Sequence, residues 1–198
     1  MLDPHKVDVA RRQLGTALAL FLRDDDPISV HALACGGGEI SDFLAQAAGA
    51  QAFSQHALAV NVDLSLAELK ALRNQYWNAI KHAERYGKPR DDAILLQGFS
   101  DEQNDHALFI GWHDFSAAAG LLPVEAQAFQ VWYFAAYPEK LAPEFSVVDC
   151  DAQFPGLRYM NRTDRKRLLR KAIKWARRQP DIMNDPRTDR RKLILPRL

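Results

Sequence analysis

A short segment near the middle of the chain carries side chains that could bind an anion and move a proton. Asn74, Asn78 and His82 follow one another at intervals of four residues, which places them in one line along a helix. The neighbouring line consists of Arg73, Trp77 and Lys81. Imidazole transfers protons near neutral pH, and amide and cationic groups beside it can hold a phosphate. The alternative is that these residues form only the polar, solvated face of an amphipathic helix.

The C-terminal part of the chain is strongly basic. From Arg158 to Leu198 there are 15 Lys and Arg against 4 Asp and Glu, a balance of +11, whereas residues 1–157 sum to −10. Such a segment can bind nucleic-acid phosphates, an anionic membrane, or the acidic remainder of the same molecule or of a dimer partner. Trp175, the only large aromatic residue of the basic helix, is weak evidence for a membrane-bound face, and we expect no membrane partner. The candidate nucleic-acid-binding residues are Arg165, Lys166, Arg167, Arg170, Lys171, Lys174, Arg177 and Arg178.

A third group of side chains is of the kind that ligates metals. His106 and His113 are seven residues apart, and Asp105 and Asp114 are nine apart. A metal site needs three or four such groups converging on the ion, and neither an HExxH nor an ExxH spacing is present. We therefore expect no metal and no other cofactor. These residues are expected to contact the helix that carries His82 or to lie at the surface.

Composition indicates a globular protein. The chain has 198 residues, of which 47% are hydrophobic and 26% charged. No apolar run approaches the roughly 18–20 residues that cross a bilayer, and residues 1–6 lack the features of a secretory signal. Cys35 and Cys150 form neither a disulfide framework nor a zinc motif. We expect a cytoplasmic protein.

Apolar residues recur three and four apart, which predicts an all-α protein: an antiparallel helical bundle with a basic C-terminal helical extension. The bundle domain covers residues 1–140, with helices predicted at about 3–23, 27–48, 65–87, 101–120 and 123–138. Asp26-Pro27 and the capping box Ser65-Leu-Ala-Glu68 predict two of the helix starts. Residues 141–198 are predicted to form a linker, a basic helix over about 163–179 and an extended tail.

Two features of the predicted helices have structural consequences. Gly36-Gly37-Gly38 lies within the second helix, where glycine is unfavourable, so either another helix approaches closely or the helix breaks there. In the third helix, Leu69, Leu72, Tyr76 and Tyr86 follow the spacing of a buried face.

The polar residues of the third helix resemble a known family. Asn78-Ala-Ile-Lys81-His82 resembles the Arg-Asn-x-x-Lys-His run of HEPN proteins (higher eukaryotes and prokaryotes nucleotide-binding), helical bundles of which many are dimeric RNases or toxins. Residues 27–39, which end in Glu39, are similar to a second-helix pattern in uncharacterised bacterial proteins of that type. The resemblance implies a homodimer that binds RNA or a nucleotide, with the Glu39 helix against the His82 helix. The catalytic candidates are His82, Lys81, Asn78 and Arg73. The ligand-binding candidates are Glu39, Asn74, Trp77 and Asp114.

The sequence departs from this family at one chemically important position. Trp77 occupies the position of the family's arginine, and tryptophan can stack on a base but cannot neutralise a phosphate. Either Arg73 or Lys81 supplies the cation, or hydrolysis is lost and binding remains; we favour binding with weak or no RNase activity. The alternative function is a catalytically inert protein-interaction or toxin–antitoxin-type module, in which His82 would pair with Glu39 or Asp114 inside the bundle.

Overall fold

The computed structural model describes residues 2–140, 150 and 152–196, and its regular structure is almost entirely helical, which confirms the predicted all-α class. The helices of the described residues are α1 (Pro4–Arg23), α2 (Pro27–Ala47), α3 (Phe53–Val60), α4 (Leu66–Lys81), α5 (Ala93–Gln97), α6 (Gln103–Ala119), α7 (Val124–Ala136), α8 (Arg162–Ala176) and α9 (Pro180–Asn184). Single 3-10 turns lie at Pro138–Lys140 and Leu157–Tyr159.

Contacts divide the chain into two units. The first contains residues up to Gly120 together with those from Ile194 onward, and the second is Leu121–Leu193. The division precedes α7, which the sequence analysis included in a bundle domain ending at residue 140. Of the predicted linker at residues 141–160, residues 141–149 and 151 lie outside the described part of the chain.

The core of the first unit lies between α1, α2 and α6. These helices bury large apolar side chains at 0–1% exposure. The buried set includes Leu14, Leu18 and Phe21 of α1, Val30 and Leu44 of α2, and Leu108, Trp112 and Phe115 of α6. The predicted start of α2 is confirmed: Asp26 accepts hydrogen bonds from the backbone N–H groups of Ile28 and Ser29, and Pro27 is the first helical residue.

The glycines of α2 allow another helix to approach closely, and they do not break α2. The helix is continuous from Pro27 to Ala47. A Cβ atom built on Gly38 would lie 3.5 Å from the Cα of Gly111, and one built on Gly111 would lie 2.6 Å from Cδ2 of Leu14. The backbones of α2 and α6 therefore meet at a glycine pair, and a side chain on Gly111 would collide with Leu14 of α1.

The predicted course of the third helix is wrong at its C-terminal end. The capping box at Ser65 and Glu68 is present, but α4 ends at Lys81 instead of about Gly87. Strands β1 (Glu84–Arg85) and β2 (Lys88–Pro89) pair antiparallel, joined by Tyr86 and Gly87 with φ of 54° and 73°. Positive φ at both central residues suits a tight hairpin and cannot continue a right-handed helix. Glycine therefore serves the hairpin turn and not the helix end.

The predicted core face of this helix is also only partly correct. Leu69 is 8% exposed, but Leu72 is 59% and Tyr86 91% exposed. Two short helices, α3 and α5, lie in stretches where the sequence predicts none. The predicted extended tail contains α9 and strand β4 (Thr188–Asp189), which pairs in parallel with β3 (Leu122–Pro123).

In the second unit, α7 packs against the basic helix α8. Phe129 and Trp132 of α7 stack at 5.5 Å between ring centroids and are fully buried. The indole N–H of Trp132 donates to the carbonyl of Arg165 at 3.0 Å. On α8, Leu169, Ile173 and Ala176 are buried and form its packing face.

Candidate functional site

The polar residues predicted as a site lie at the C-terminal end of α4. Asn74, Trp77 and Asn78 are half-buried on the helix, and Lys81 is its last residue and exposed. The ammonium Nζ of Lys81 lies 5.2 Å from the ring centroid of Trp77, within the range of a cation–π contact. Lys81 and Trp77 therefore form a pair at the surface.

His82 is not part of the helix. It is the C-cap residue, with an extended backbone (φ −121°, ψ 118°), and its N–H donates to the carbonyl of Asn78 at 3.1 Å. Its side chain is exposed. Helix α4 therefore ends one residue before His82, so the predicted line of side chains along the helix does not include His82. The pairing of His82 with Glu39 or Asp114 inside the bundle, which the alternative function leads us to expect, is wrong, because the side chain of His82 is exposed.

Arg73 is held by α2. Its Nη1 lies 4.0 Å from Oδ1 of Asp42, with the two side chains 20% and 16% exposed. The guanidinium also lies near enough to Cys35 to lower that thiol's pKa. Helices α2 and α4 are neighbours, as the resemblance implies, but Glu39 is exposed and makes no hydrogen bond or ion pair with His82 in the described part of the chain.

Asp114 has a structural role at the start of α3. It is fully buried on α6, and its Oδ1 accepts hydrogen bonds from the Phe53 N–H at 2.6 Å and from Nδ1 of His113 at 3.0 Å. The Phe53 N–H is the first of the unpaired donors at the start of α3, where Ala52 has no side-chain group to accept them. Asp114 therefore caps α3 from a neighbouring helix and does not face Lys81 or His82 as a ligand-binding residue.

A buried polar chain that the sequence analysis did not identify links α2 to α6. Asn104 donates from Nδ2 to the carbonyl of Pro27 at 3.1 Å, so its Oδ1 accepts from Nδ1 of His31 at 3.0 Å. Nε2 of His31 then faces the thiol of Cys35 at 3.4 Å. Burial lowers the pKa of His31, and the hydrogen bond to Asn104 opposes this.

Cys35 completes this chain as a hydrogen-bond donor. Burial raises the pKa of the Cys35 thiol to about 12, with Arg73 lowering it and Glu39 raising it by smaller amounts. A protonated thiol can donate to the unprotonated Nε2 of His31, and only the thiolate is a nucleophile. The arrangement therefore stabilises the α2–α6 contact and does not activate a cysteine.

Among the described residues, no three His, Cys, Asp or Glu side chains are grouped as metal ligands. The helices within the same part of the chain include none that is both long and apolar enough to cross a bilayer.

Half of the predicted nucleic-acid-binding residues of α8 are engaged within the second unit. Arg165 donates to the backbone carbonyls of Met160 and Arg158 at 2.9 and 2.6 Å, and Lys166 is 3% exposed. Arg167 pairs with Asp164 at 2.9 Å, and Arg177 pairs with Glu125 of α7. Of these contacts, the Arg177–Glu125 pair joins the basic segment to an acidic side chain outside it.

Of the four other candidates, Arg170 is half-buried and has an interaction partner. The last three cations, Lys171, Lys174 and Arg178, form what we define as the basic strip. All three are exposed, and none makes an ion pair with any residue that the structure describes. Lys171 and Lys174 lie on the side of α8 opposite its buried face, and Arg178 follows two residues after the end of the helix. Trp175, beside the strip, is 60% exposed.

The resemblance to HEPN proteins depends on the residues from Asn78 to His82 and on the glycine-containing run that ends at Glu39. The HEPN assignment and its dimeric RNA-binding function stay predictions. Comparison with protein-family models, with curated proteins and with solved structures finds no match for this chain.

Proposed function

We propose that this protein binds RNA through the basic strip of α8 and does not hydrolyse it. The observation that carries the proposal is the exposure of Lys171, Lys174 and Arg178 without ion pairs among the described residues. Cations already paired with a carboxylate must give up that contact to reach a phosphate. These three need not, so each can bind a backbone phosphate and release a condensed counterion.

The end of α4 is a weaker anion site than the resemblance to HEPN proteins implies. Lys81 is the one cation in the last turn of α4, and its ammonium already lies over Trp77. Asn78 and His82 can hydrogen-bond a nucleotide there, but we assign the main phosphate contacts to α8.

The surroundings of Arg73 support the proposal that the protein does not hydrolyse RNA. RNA cleavage by the mechanism of the family needs a cation and an imidazole at one phosphodiester. Arg73 lies 4.0 Å from Asp42, and Trp77 stands where the family has its arginine. We expect no metal-independent cleavage of a labelled RNA by the wild-type protein. Cleavage that disappears in His82→Ala would contradict this part of the proposal and assign catalysis to the end of α4.

The binding proposal is tested by charge reversal with a matched control. Lys171→Glu, Lys174→Glu and Arg178→Glu are combined in one variant, and Lys6→Glu, Lys70→Glu and Lys88→Glu in another. Both variants change the net charge equally, and all six lysines and arginines are exposed. In fluorescence anisotropy with a labelled RNA, the first variant should bind more than about tenfold more weakly than the second. An equal loss of RNA affinity in both variants would mean that affinity depends on the net charge of the protein and not on the basic strip.

The second candidate function is a protein-interaction module that forms a homodimer through α2 and α4. Leu66 and Leu72 of α4 are 46% and 59% exposed, and Phe43 of α2 is 65% exposed. Exposed apolar side chains on neighbouring helices are typical of an interface. Sedimentation velocity should then give a dimer that Leu72→Glu dissociates. Tyr159→Glu, at a residue 78% exposed in the second unit, is the matched control. A wild-type monomer at micromolar concentration would exclude this candidate.

A further inference from the structure

An open groove beside the basic strip offers a surface for a flat aromatic group. The groove has a volume of about 370 Å³, within the size range of sites for small organic ligands. It is lined by Gln153, Phe154, Leu168, Lys171, Ala172 and Trp175. We propose that an unpaired nucleobase stacks on Trp175 in this groove while the adjoining phosphates contact the basic strip. This inference rests on the RNA-binding function proposed above and specifies single-stranded RNA as its ligand.

The exposure of Trp175 is the first argument. The other aromatic group of the groove, Phe154, is 3% exposed and forms its floor, whereas Trp175 is 60% exposed at its edge. The stripe by which α8 packs contains Leu169 and Ile173, at 0% and 6% exposure. Trp175 is therefore not needed to bury α8. Its ring is accessible as a stacking surface.

The second argument is the chemistry of the groove wall. Leu168 and Ala172 provide an apolar side on which the edge of a base can rest. Lys171 belongs both to the groove and to the basic strip, so a base in the groove and a phosphate on the strip can come from the same nucleotide chain. The exposed amide of Gln153 can donate to or accept from the edge of a base.

These two arguments select single-stranded over double-stranded RNA. In a duplex both faces of each base are covered by its neighbours, and proteins contact mainly phosphates and 2′-hydroxyls. Aromatic stacking requires an unpaired base, and it tolerates any sequence because every base has a π-face. A cationic line beside an exposed aromatic ring is the arrangement used by proteins that bind single strands without sequence preference.

The test uses three ligands and the full chain. The ligands are a labelled single-stranded RNA, a blunt duplex RNA, and a strand of equal length and charge whose sugars carry no bases. The proteins are the wild type, Trp175→Ala, Trp175→Phe and the triple charge-reversal variant of the basic strip. Thermal unfolding by circular dichroism verifies that each variant is folded; Trp175 is an exposed residue, so little change is expected.

We expect Trp175→Ala to bind the single strand about tenfold more weakly, since one base stacked on an aromatic side chain contributes about 1–3 kcal/mol. Its affinity for the duplex and for the strand without bases should stay within about twofold of wild type. Trp175→Phe should retain most of the affinity for the single strand, because phenylalanine also stacks. The charge-reversal variant should lose affinity for all three ligands.

Three results would overturn the inference. Equal effects of Trp175→Ala on the single strand and on the strand without bases would mean that no base stacks there. No effect on either strand would mean that the groove is not used, while sensitivity of the charge-reversal variant would still support RNA binding. The same proteins are also mixed with vesicles of anionic phospholipid. Vesicle binding that depends on Trp175, in a protein that does not prefer single-stranded RNA, would instead assign the groove to a membrane surface.

Discussion

We expect the buried side chain of His31 to make the stability of the folded protein depend on pH. Burial lowers the pKa of His31 from 6.5 in the folded protein, so the unfolded chain takes up its proton first as the pH falls. The stabilisation is complete above pH 6.5 and decreases as the pH falls toward the lower folded pKa. We expect a lower urea midpoint at pH 5.5 than at pH 7.5, and we expect His31→Gln to remove most of that difference.

The control for this prediction is His82→Gln, because the side chain of His82 is exposed and forms no hydrogen bond or ion pair within the described residues. This variant should keep the pH dependence of the wild type. If His31→Gln and the wild type lose stability equally between the two pH values, another group is responsible.

The hydrogen bond between His31 and Asn104 is an example of a residue contact that the sequence does not predict. His31 and Asn104 are 73 positions apart, and no spacing rule connects them. The same is true of Asp114 and Phe53, 61 positions apart. The line of Asn74, Asn78 and His82 follows from helical spacing, but it assumes a helix that continues through His82, which the structure does not contain.

At the scale of elements, the crossing of α2 and α6 offers a test of the packing. A Cβ at position 111 would lie 2.6 Å from Cδ2 of Leu14 and 3.5 Å from the carbonyl oxygen of Ala34. We expect Gly111→Ala to lower the free energy of unfolding by about 1–3 kcal/mol, since the methyl group meets the fully buried side chain of Leu14 and the packed core must shift to admit it. Urea denaturation monitored by circular dichroism measures this change.

Gly36→Ala is the matched control, because it also replaces a helical glycine. A Cβ there would lie 3.1 Å from Oε1 of Gln13, the end of a flexible side chain that can move away. This variant should be neutral or more stable by up to about 1 kcal/mol, owing to the better helix propensity of alanine. If Gly111→Ala is as stable as Gly36→Ala, the core around Gly111 and Leu14 is not packed as closely as described.

The elements that the sequence predicts correctly have local signals at their ends. Asp26-Pro27 begins α2, Ser65 begins α4, and Gly120, with φ of 71°, ends α6. Helices α3 and α5, of eight and five residues, are too short for apolar periodicity to identify them. The sequence does not predict that α4 ends at Lys81, because Gly87 and Pro89 are as typical of a hairpin as of the end of a helix.

At the scale of the whole molecule, charge distribution was the most informative property of the sequence. The balance of +11 after residue 157 predicted a cationic helix without any motif or relative. Charge counts alone do not distinguish cations that serve the fold, such as Arg165 and Arg177, from those that are exposed. That distinction depends on which carbonyls and carboxylates surround α8, and it reduces the eight candidates to a basic strip of three.

The central claim is that these three side chains bind RNA phosphates, and the salt dependence of RNA affinity tests it most directly. For a single strand, each phosphate contact contributes about 0.7 to the slope of log K against log salt concentration. Replacing Lys171, Lys174 and Arg178 by glutamine should therefore reduce the magnitude of that slope by about 2 relative to the wild type. A slope equal to that of the wild type would contradict the claim.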